Sequence, residues 1–294
     1  MRDKYSDNEK DYMQSYHIED YDRPSLATDM VVFTIKSESS DNYRKLSQKE
    51  LAILLIQRGE HPFKGQWALP GGFVRKGETI EESAIRELRD ETGVTDMTLS
   101  QLHTFSEPDR DPRGWIISCA YMALAQEDRF KLKAGTDAVA ADWFYVDFKL
   151  EKTESKKTPS GKIIKRKYKL SLTSADITLS SLIEIRTHYT IKKLKTEYII
   201  LKSDGIAFDH GKIIAYAINT LRENINNSLL AFELLPEHFT LTELQTVYEK
   251  ILDKDLVAAN FRRKIADYVI ETDMKVKGGG HRPSKLYKCN YDAF

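Results

Sequence analysis

Glu87, Asp90 and Glu91 stand at i, i+3 and i+4 within the stretch GGFVRKGETIEESAIRELRDETGV, Gly71 to Val94. On a helix their carboxylates gather on one face. Three like charges so close repel one another, and Glu91 suffers most, because it borders the apolar stripe of Ile80, Ala84 and Leu88 and loses water. A hard divalent cation with oxygen ligands, Mg²⁺ or Mn²⁺, removes that cost and normally takes substrate phosphates as well. Gly71 and Gly72 let the backbone approach such an ion, and Glu78 is placed to pair with Arg86 and fix the loop against the helix. The spacing points to metal-assisted phosphate chemistry.

Further groups of residues carry possible chemistry. In FSEPDRDPRGWIISCAY, residues 105–121, Arg110 and Arg113 either clamp phosphate or pair with the neighbouring aspartates, and two prolines stiffen the loop. Trp67 and Phe73 either stack on an adenine or pack in the core. Near the C-terminal end Asn260, Arg262, Arg263 and Lys264 surround a core stripe of Phe261, Ile265 and Val269, side chains suited to phosphate contact and base reading in a major groove. Lys275, Lys277, His281, Arg282, Lys285 and Lys288 follow on a glycine-rich hairpin, Gly278 to Gly280 at its turn. Over 260–288 eight Lys or Arg face three acidic residues, although the whole chain balances 45 Lys and Arg against 45 Asp and Glu. Localised basic charge on a helix and a hairpin together favours duplex DNA as partner.

These residues need elements to position them. The 294 residues, 41% hydrophobic, suggest two domains with packed cores. Cys119 and Cys289 lie far apart without metal spacing, the first residues lack an apolar core, and the longest apolar run, LAILLI, cannot span a bilayer, so a soluble cytoplasmic protein without membrane contact is expected. Residues 1–25 read as an arm. Over 26–148, ATDMVVFTI, LAILLIQR, WALPGGFV, WIISCAYMAL and ADWFYVDF read as strands around a helix that starts in a capping box, Thr79 with Glu82, and stops at Gly93. This is an α+β pattern. Residues 149–205 open with nine Lys or Arg against two Glu over 149–169 and read as a β-hairpin or small sheet added to the first domain, its lysines protecting an edge. Residues 206–294 give helix, helix, helix, hairpin, the order of a winged helix-turn-helix, with caps expected at Asp209 and at Thr240 with Glu243.

The Gly71–Val94 stretch resembles the Nudix box: Gly72, Glu78, Arg86, Glu87, Leu88, Glu91, Gly93 and Val94 match in register, and Asp90 stands where that family has Glu. The resemblance implies a Nudix fold, a mixed sheet sandwiched by helices. It also implies a metal shell of Gly72, Glu87, Asp90 and Glu91, catalytic roles for Glu87, Glu91 and Asp137, and a structural pair in Glu78 and Arg86. Ala140 sits where related pyrophosphatases often carry Glu. Asp109 to Gly114 resembles a segment of bacterial ADP-ribose pyrophosphatases and their regulator relatives, which assigns Arg110 and Arg113 to the substrate. LAFELLPEHFTLTELQTVYEKIL, NFRRKIADYVIE and GGGHRPSKLYK are similar to the winged helix of the Nudix-related regulators of NAD metabolism, and IAFDHGKII resembles their linker helix. Where those relatives usually cap the recognition helix with Asp this chain has Val257, which moves the expected cap to Asp255.

That resemblance implies a homodimer on operator DNA that answers to ADP-ribose or a related nucleotide, with Mg or Mn as cofactor and hydrolysis left open. Two alternatives stand beside it: a pyrophosphatase whose C-terminal domain only dimerises or gates, and a sugar-responsive regulator. An RNA-processing enzyme using 149–169 as a ribbon is a weaker reading, since no aromatics interleave with the lysines.

Overall fold

The strand expected from ATDMVVFTI is β1 (Ser25–Ser37), the spine of the molecule. In the computed structural model, which describes residues 7–37, 49–93, 99–126, 138–191, 193–226, 228–276 and 284–293, β1 lies parallel to β6 (Ile116–Leu124) and antiparallel to β2 (Lys49–Arg58). Its side chains alternate between two buried layers: Val31 and Phe33 face one, Met30 and Val32 the other. A strand covered on both faces favours a continuous apolar run, which is why Met30 to Phe33 show no alternation.

Beyond the Phe33–Ile53 pairing β1 and β2 part, and the WALPGGF segment wedges between them. There β3 (Trp67–Ala68) pairs with β2, β4 (Gly71–Phe73) pairs with β1, and the Met30 N–H donates to the Pro70 carbonyl at 2.8 Å. The helix α2 (Ile80–Thr92) starts as predicted, with the Thr79–Glu82 capping box formed, and ends at Gly93 in the left-handed conformation, φ 73°. Ala84 and Leu88 seat it against Met30, Val32, Leu54 and Trp143.

The sheet does not stop where composition changes. Its order is β10-β9-β8-β7-β2-β1-β6-β5, with β5 (Ser100–Phe105), β7 (Ala138–Thr158), β8 (Gly161–Ser174), β9 (Ile177–Thr190) and β10 (Leu194–Asp204). The hairpin or small sheet expected at 149–205 is realised as further strands hydrogen-bonded onto the same sheet, and the boundary drawn at Lys149 falls inside β7. Leu170, Leu172, Ile183 and Ile185 are buried there and continue the core outward. Of the described residues before β1, Asp7–Ser15 form the exposed helix α1, and the rings of Tyr12 on it and of Tyr16 and Tyr21 after it line up at 5.8 and 5.6 Å.

The helix α3 (His210–Asn224) is buried along most of its length and lies between the sheet and the C-terminal helices, so one apolar core runs from Val31 to Ile265. Asp209 precedes α3 as expected but makes no side-chain cap; its carboxylate goes to cations instead. After α4 (Leu230–Glu233), α5 (Leu241–Leu252) opens with the predicted Thr240–Glu243 capping box. The recognition helix α6 (Ala258–Ile265) departs from expectation: its N-cap position is Val257, without a side-chain cap, rather than Asp255. The preceding turn is held from α5, whose Glu249 Oε1 accepts the Leu256 N–H at 2.9 Å and whose Gln245 amide donates to the Leu256 carbonyl at 2.9 Å. The wing is β11 (Val269–Val276) with β12 (Ser284–Cys289), and Phe239 and Tyr287 exchange backbone hydrogen bonds at its root.

Candidate functional site

A cavity of about 430 Å³ opens at the wedge between β1 and β2, and one wall is the predicted carboxylate face. The Arg86 guanidinium forks onto Glu78, Nε to Oε2 at 2.9 Å and Nη2 to Oε1 at 2.7 Å, and also donates to the Phe73 carbonyl at 3.2 Å. These bonds hold the Glu78 carboxyl down at about 2 and push the Arg86 guanidinium up. Glu78 and Arg86 therefore tie the glycine loop to α2. Glu91 is buried, and its Oε2 accepts the Gly71 N–H at 2.8 Å. Glu87 touches Arg86 and lies under Gly72, where a β-carbon would come within 2.5 Å of its carboxyl carbon. Asp90 is exposed and accepts from Arg89 Nε at 3.1 Å.

Glu87, Asp90, Glu91 and Gly72 thus share one cavity wall. The donor set is all oxygen, which suits a hard divalent ion. Among the described residues no three His, Cys, Asp or Glu already converge in a metal-holding group. Arg86 engages one oxygen of Glu87, Oε1, and Arg89 one oxygen of Asp90, Oδ1. Asp137 lies outside the described residues. Ala140 pairs with Gln57 in the sheet and packs against the core.

The opposite wall is one the sequence reading did not assemble. Asp29 of β1 is buried, accepts Ser118 Oγ–H at 2.5 Å, and faces Arg110 Nη2 at 3.5 Å and His210 Nε2 at 3.4 Å. Arg110 forks onto Asp209, Nε to Oδ2 at 3.2 Å and Nη2 to Oδ1 at 2.8 Å. Burial pulls the Arg110 guanidinium down, but Asp209 and Asp29 outweigh it and hold it above its ordinary value. Lys212 joins Asp209 at 3.2 Å and Glu107 at 3.0 Å. The His210 Nδ1 accepts the Leu69 N–H at 2.8 Å, and burial holds the ring's pKa below its ordinary value, so it is neutral.

Of the two open readings of the arginines, both pair with aspartates. Arg113 takes the local partner, Asp111 at 2.7 Å, while Arg110 takes distant Asp209 and Asp29. Arg113 remains 40% exposed on the cavity wall. Trp67 is a core residue packed on Phe144 at 4.7 Å, whereas Phe73 is 41% exposed at the cavity lip. The site also holds Arg58, Phe208 and His210, which sequence reasoning missed. One signal was available: Asp29 is the one charged residue in the run ATDMVVFTI.

At the far end of the molecule α6 buries Phe261 and Ile265 and exposes Asn260, Arg262, Arg263 and Lys264. The predicted stripe stops there, since Val269 belongs to β11. Arg263 Nη2 donates to Asn260 Oδ1 at 2.8 Å. Lys285 pairs with Glu271, so this wing cation is partly neutralised. Lys277, His281 and Arg282 lie outside the described residues.

Comparison with known proteins follows the same division. The NUDIX domain model matches residues 44–165, and the NrtR DNA-binding winged helix domain model matches 231–289. The chain is 28% identical to the ADPR responsive transcriptional repressor NtrR of Acinetobacter baylyi, over 96% of this chain and 88% of that protein. It is similar to the crystal structure of a MutT/nudix family protein from Enterococcus faecalis, 30% identical, TM-score 0.68, covering 97% of this chain and 94% of that one. It is also similar to Shewanella oneidensis NrtR solved with a 27mer DNA, 27% identical, TM-score 0.58, covering 91% of this chain and 94% of that one.

Proposed function

The chain belongs to the Nudix family and ends in an NrtR-type winged helix domain, and from that premise we propose that it is an ADP-ribose-responsive transcriptional regulator. The observation that carries this reading is α3: its first residue, His210, lines the box cavity, and its body is buried against the core of the winged helix. A ligand in the cavity would act on α3, which packs on α5, the helix that in turn contacts α6. The named relatives, a repressor responsive to ADPR and an NrtR solved with DNA, support both ends of the reading.

In this reading Asn260, Arg262, Arg263 and Lys264 enter the major groove and Lys277, His281, Arg282 and Lys285 of the wing follow the backbone. Two copies bind one operator, because a single winged helix buries too little DNA for tight specific binding. Arg113, exposed on the cavity wall, meets the ligand's pyrophosphate, and Arg110 holds that wall in place. Gly72, Glu87, Asp90 and Glu91 hold a divalent ion, Mg or Mn. That ion would polarise the pyrophosphate and lower the pKa of bound water. Glu91 is held by the Gly71 N–H, and Glu87 has room only because residue 72 lacks a β-carbon. No helix among the described residues is long and apolar enough to cross a membrane, and the DNA-binding reading carries with it the expectation of a cytoplasmic protein.

The test is operator binding by the purified protein with and without ADP-ribose. Loss of operator affinity on adding ADP-ribose supports the reading; binding of neither sinks it. A second reading, a pyrophosphatase, is favoured by the retained box. Release of AMP and ribose 5-phosphate that depends on Mg²⁺ or Mn²⁺, and that Glu91→Gln abolishes, means the regulator consumes its own signal. Saturable binding without turnover leaves the carboxylates as a sensor's ligand shell.

A further inference from the structure

Phe208 lies in neither matched domain, between the Nudix span that ends at 165 and the winged helix span that starts at 231, yet its ring lines the box cavity. Its backbone is left-handed, φ 51°, a conformation that a bulky residue adopts only when the surroundings impose it. The neighbour that meets it, Phe63, is left-handed too, φ 63°, and the two rings meet edge to face at 4.7 Å. Two of the described non-glycine residues with positive φ thus touch each other, and one of them, Phe208, lines the cavity. Glycine would adopt either backbone without strain, so each phenyl group occupies its position at a conformational cost.

The ring is surrounded by cations. The Arg58 guanidinium stands 4.8 Å from the Phe208 centroid and that of Arg113 5.2 Å, and Arg113 also stands 5.0 Å from Phe73. Arg113 therefore sits within cation–π reach of two phenyl rings on the same cavity, one from the glycine loop and one from the linker. A planar guanidinium between two aromatic rings occupies the kind of space a flat heterocycle would take. Arg113 is tethered by Asp111 and half exposed, so it can swing toward a pyrophosphate when a base enters. Arg58, by contrast, is held by the Pro62 carbonyl at 2.8 Å and keeps its place behind Phe208.

Resting on the reading of the cavity as a nucleotide site, we propose that Phe208 is the stacking surface for the ligand's purine base and the residue through which α3 senses it. The next two residues explain the second half. Asp209 is clamped by Arg110 and Lys212, and His210 is fixed to Leu69 and faces Asp29, so the chain after Phe208 is anchored to β1 and to the 105–114 loop. A base that moves the Phe208 ring acts on those anchors at once, and they start the helix that reaches the winged helix. The ligand class is accordingly a nucleoside diphosphate with an intact base, and a base-free pyrophosphate compound fills only the metal end.

The test compares wild type with Phe208→Leu, which keeps bulk and loses the π face, and Phe208→Tyr, which restores it. Calorimetry with ADP-ribose and with inorganic pyrophosphate is paired with operator binding followed by fluorescence anisotropy. Stacking of a base on an aromatic side chain predicts that Phe208→Leu weakens ADP-ribose on the order of tenfold. Pyrophosphate binding and ligand-free operator affinity should stay within about twofold, Phe208→Tyr should recover ADP-ribose, and the Leu variant should keep its operator when ADP-ribose is saturating. Normal ADP-ribose affinity in Phe208→Leu overturns the proposal, as does an equal loss of pyrophosphate and ADP-ribose. Failure of wild type to bind ADP-ribose at all overturns the nucleotide reading itself, and this proposal with it.

Discussion

Replacing Arg110 by Met removes the cation at the centre of a buried cluster while keeping most of its apolar bulk. The side chain is 5% exposed and its principal partner Asp209 11%, so neither is rescued by water. Breaking one partner of a buried ion pair typically costs about 3–5 kcal/mol, because a charge is left unpaired in low dielectric. Here the orphaned groups keep other contacts: Asp209 retains Lys212 at 3.2 Å, and Asp29 retains the Ser118 hydroxyl at 2.5 Å. The expected loss is therefore at the lower end, about 3 kcal/mol. Urea unfolding followed by tryptophan fluorescence measures it, since Trp67 and Trp143 are buried in the sheet. The double variant Arg110→Met, Asp209→Leu removes both ends of the pair and should recover most of the loss, to within about 1 kcal/mol of wild type. A loss below about 1 kcal/mol in the single variant, or an equal loss in the double, would refute the claim that this pair anchors α3 to the cavity wall.

Three further outcomes follow from the same geometry. Gly72→Ala should displace the flexible Glu87 carboxylate rather than the backbone, so urea stability changes by less than about 1 kcal/mol while metal-dependent ADP-ribose binding falls at least tenfold; an unfolded variant contradicts this. His210 is neutral when folded because burial lowers its pKa, whereas the unfolded chain protonates near about 6.5. Its contribution is then present above that pH and lost as pH falls below it, by up to about 1.4 kcal/mol per unit, and His210→Gln should flatten a stability profile taken from pH 7.5 to 5. Arg262→Ala, on the exposed face of α6, should weaken operator binding by about 1–3 kcal/mol if it reads a base, or lower the log affinity against log salt slope by about 1 if it meets phosphate. No change in either quantity removes α6 from the groove.

How much was legible before any coordinates depended on distance along the chain. The α2 helix, its capping box, the Gly93 stop and the Glu78–Arg86 fork lie within one loop and one helix, where 3.6-residue geometry fixes neighbours. The Thr240–Glu243 box and the helix-turn-helix order were readable for the same reason. The loop before α6 was misjudged, because the groups that hold it, Gln245 and Glu249, come from the preceding helix rather than from a cap in the loop itself. At Lys149 the composition changes while the hydrogen-bonded ladder of β7 with β8 runs on, so composition alone does not mark where that strand ends.

The sequence by itself determined the carboxylate face, its glycine loop and the exposed basic helix, since each is a matter of local spacing and side-chain chemistry. Only the tertiary structure decided what stands opposite that face. Arg110 had aspartates one residue away on either side, yet its closest carboxylate, Asp209, lies 99 residues on. That choice is set by the wedge between β1 and β2 and by the buried course of α3, which bring Asp29, Phe208 and His210 to one cavity. Contacts of that kind arise from strand order and helix burial, which no pattern within a few residues specifies.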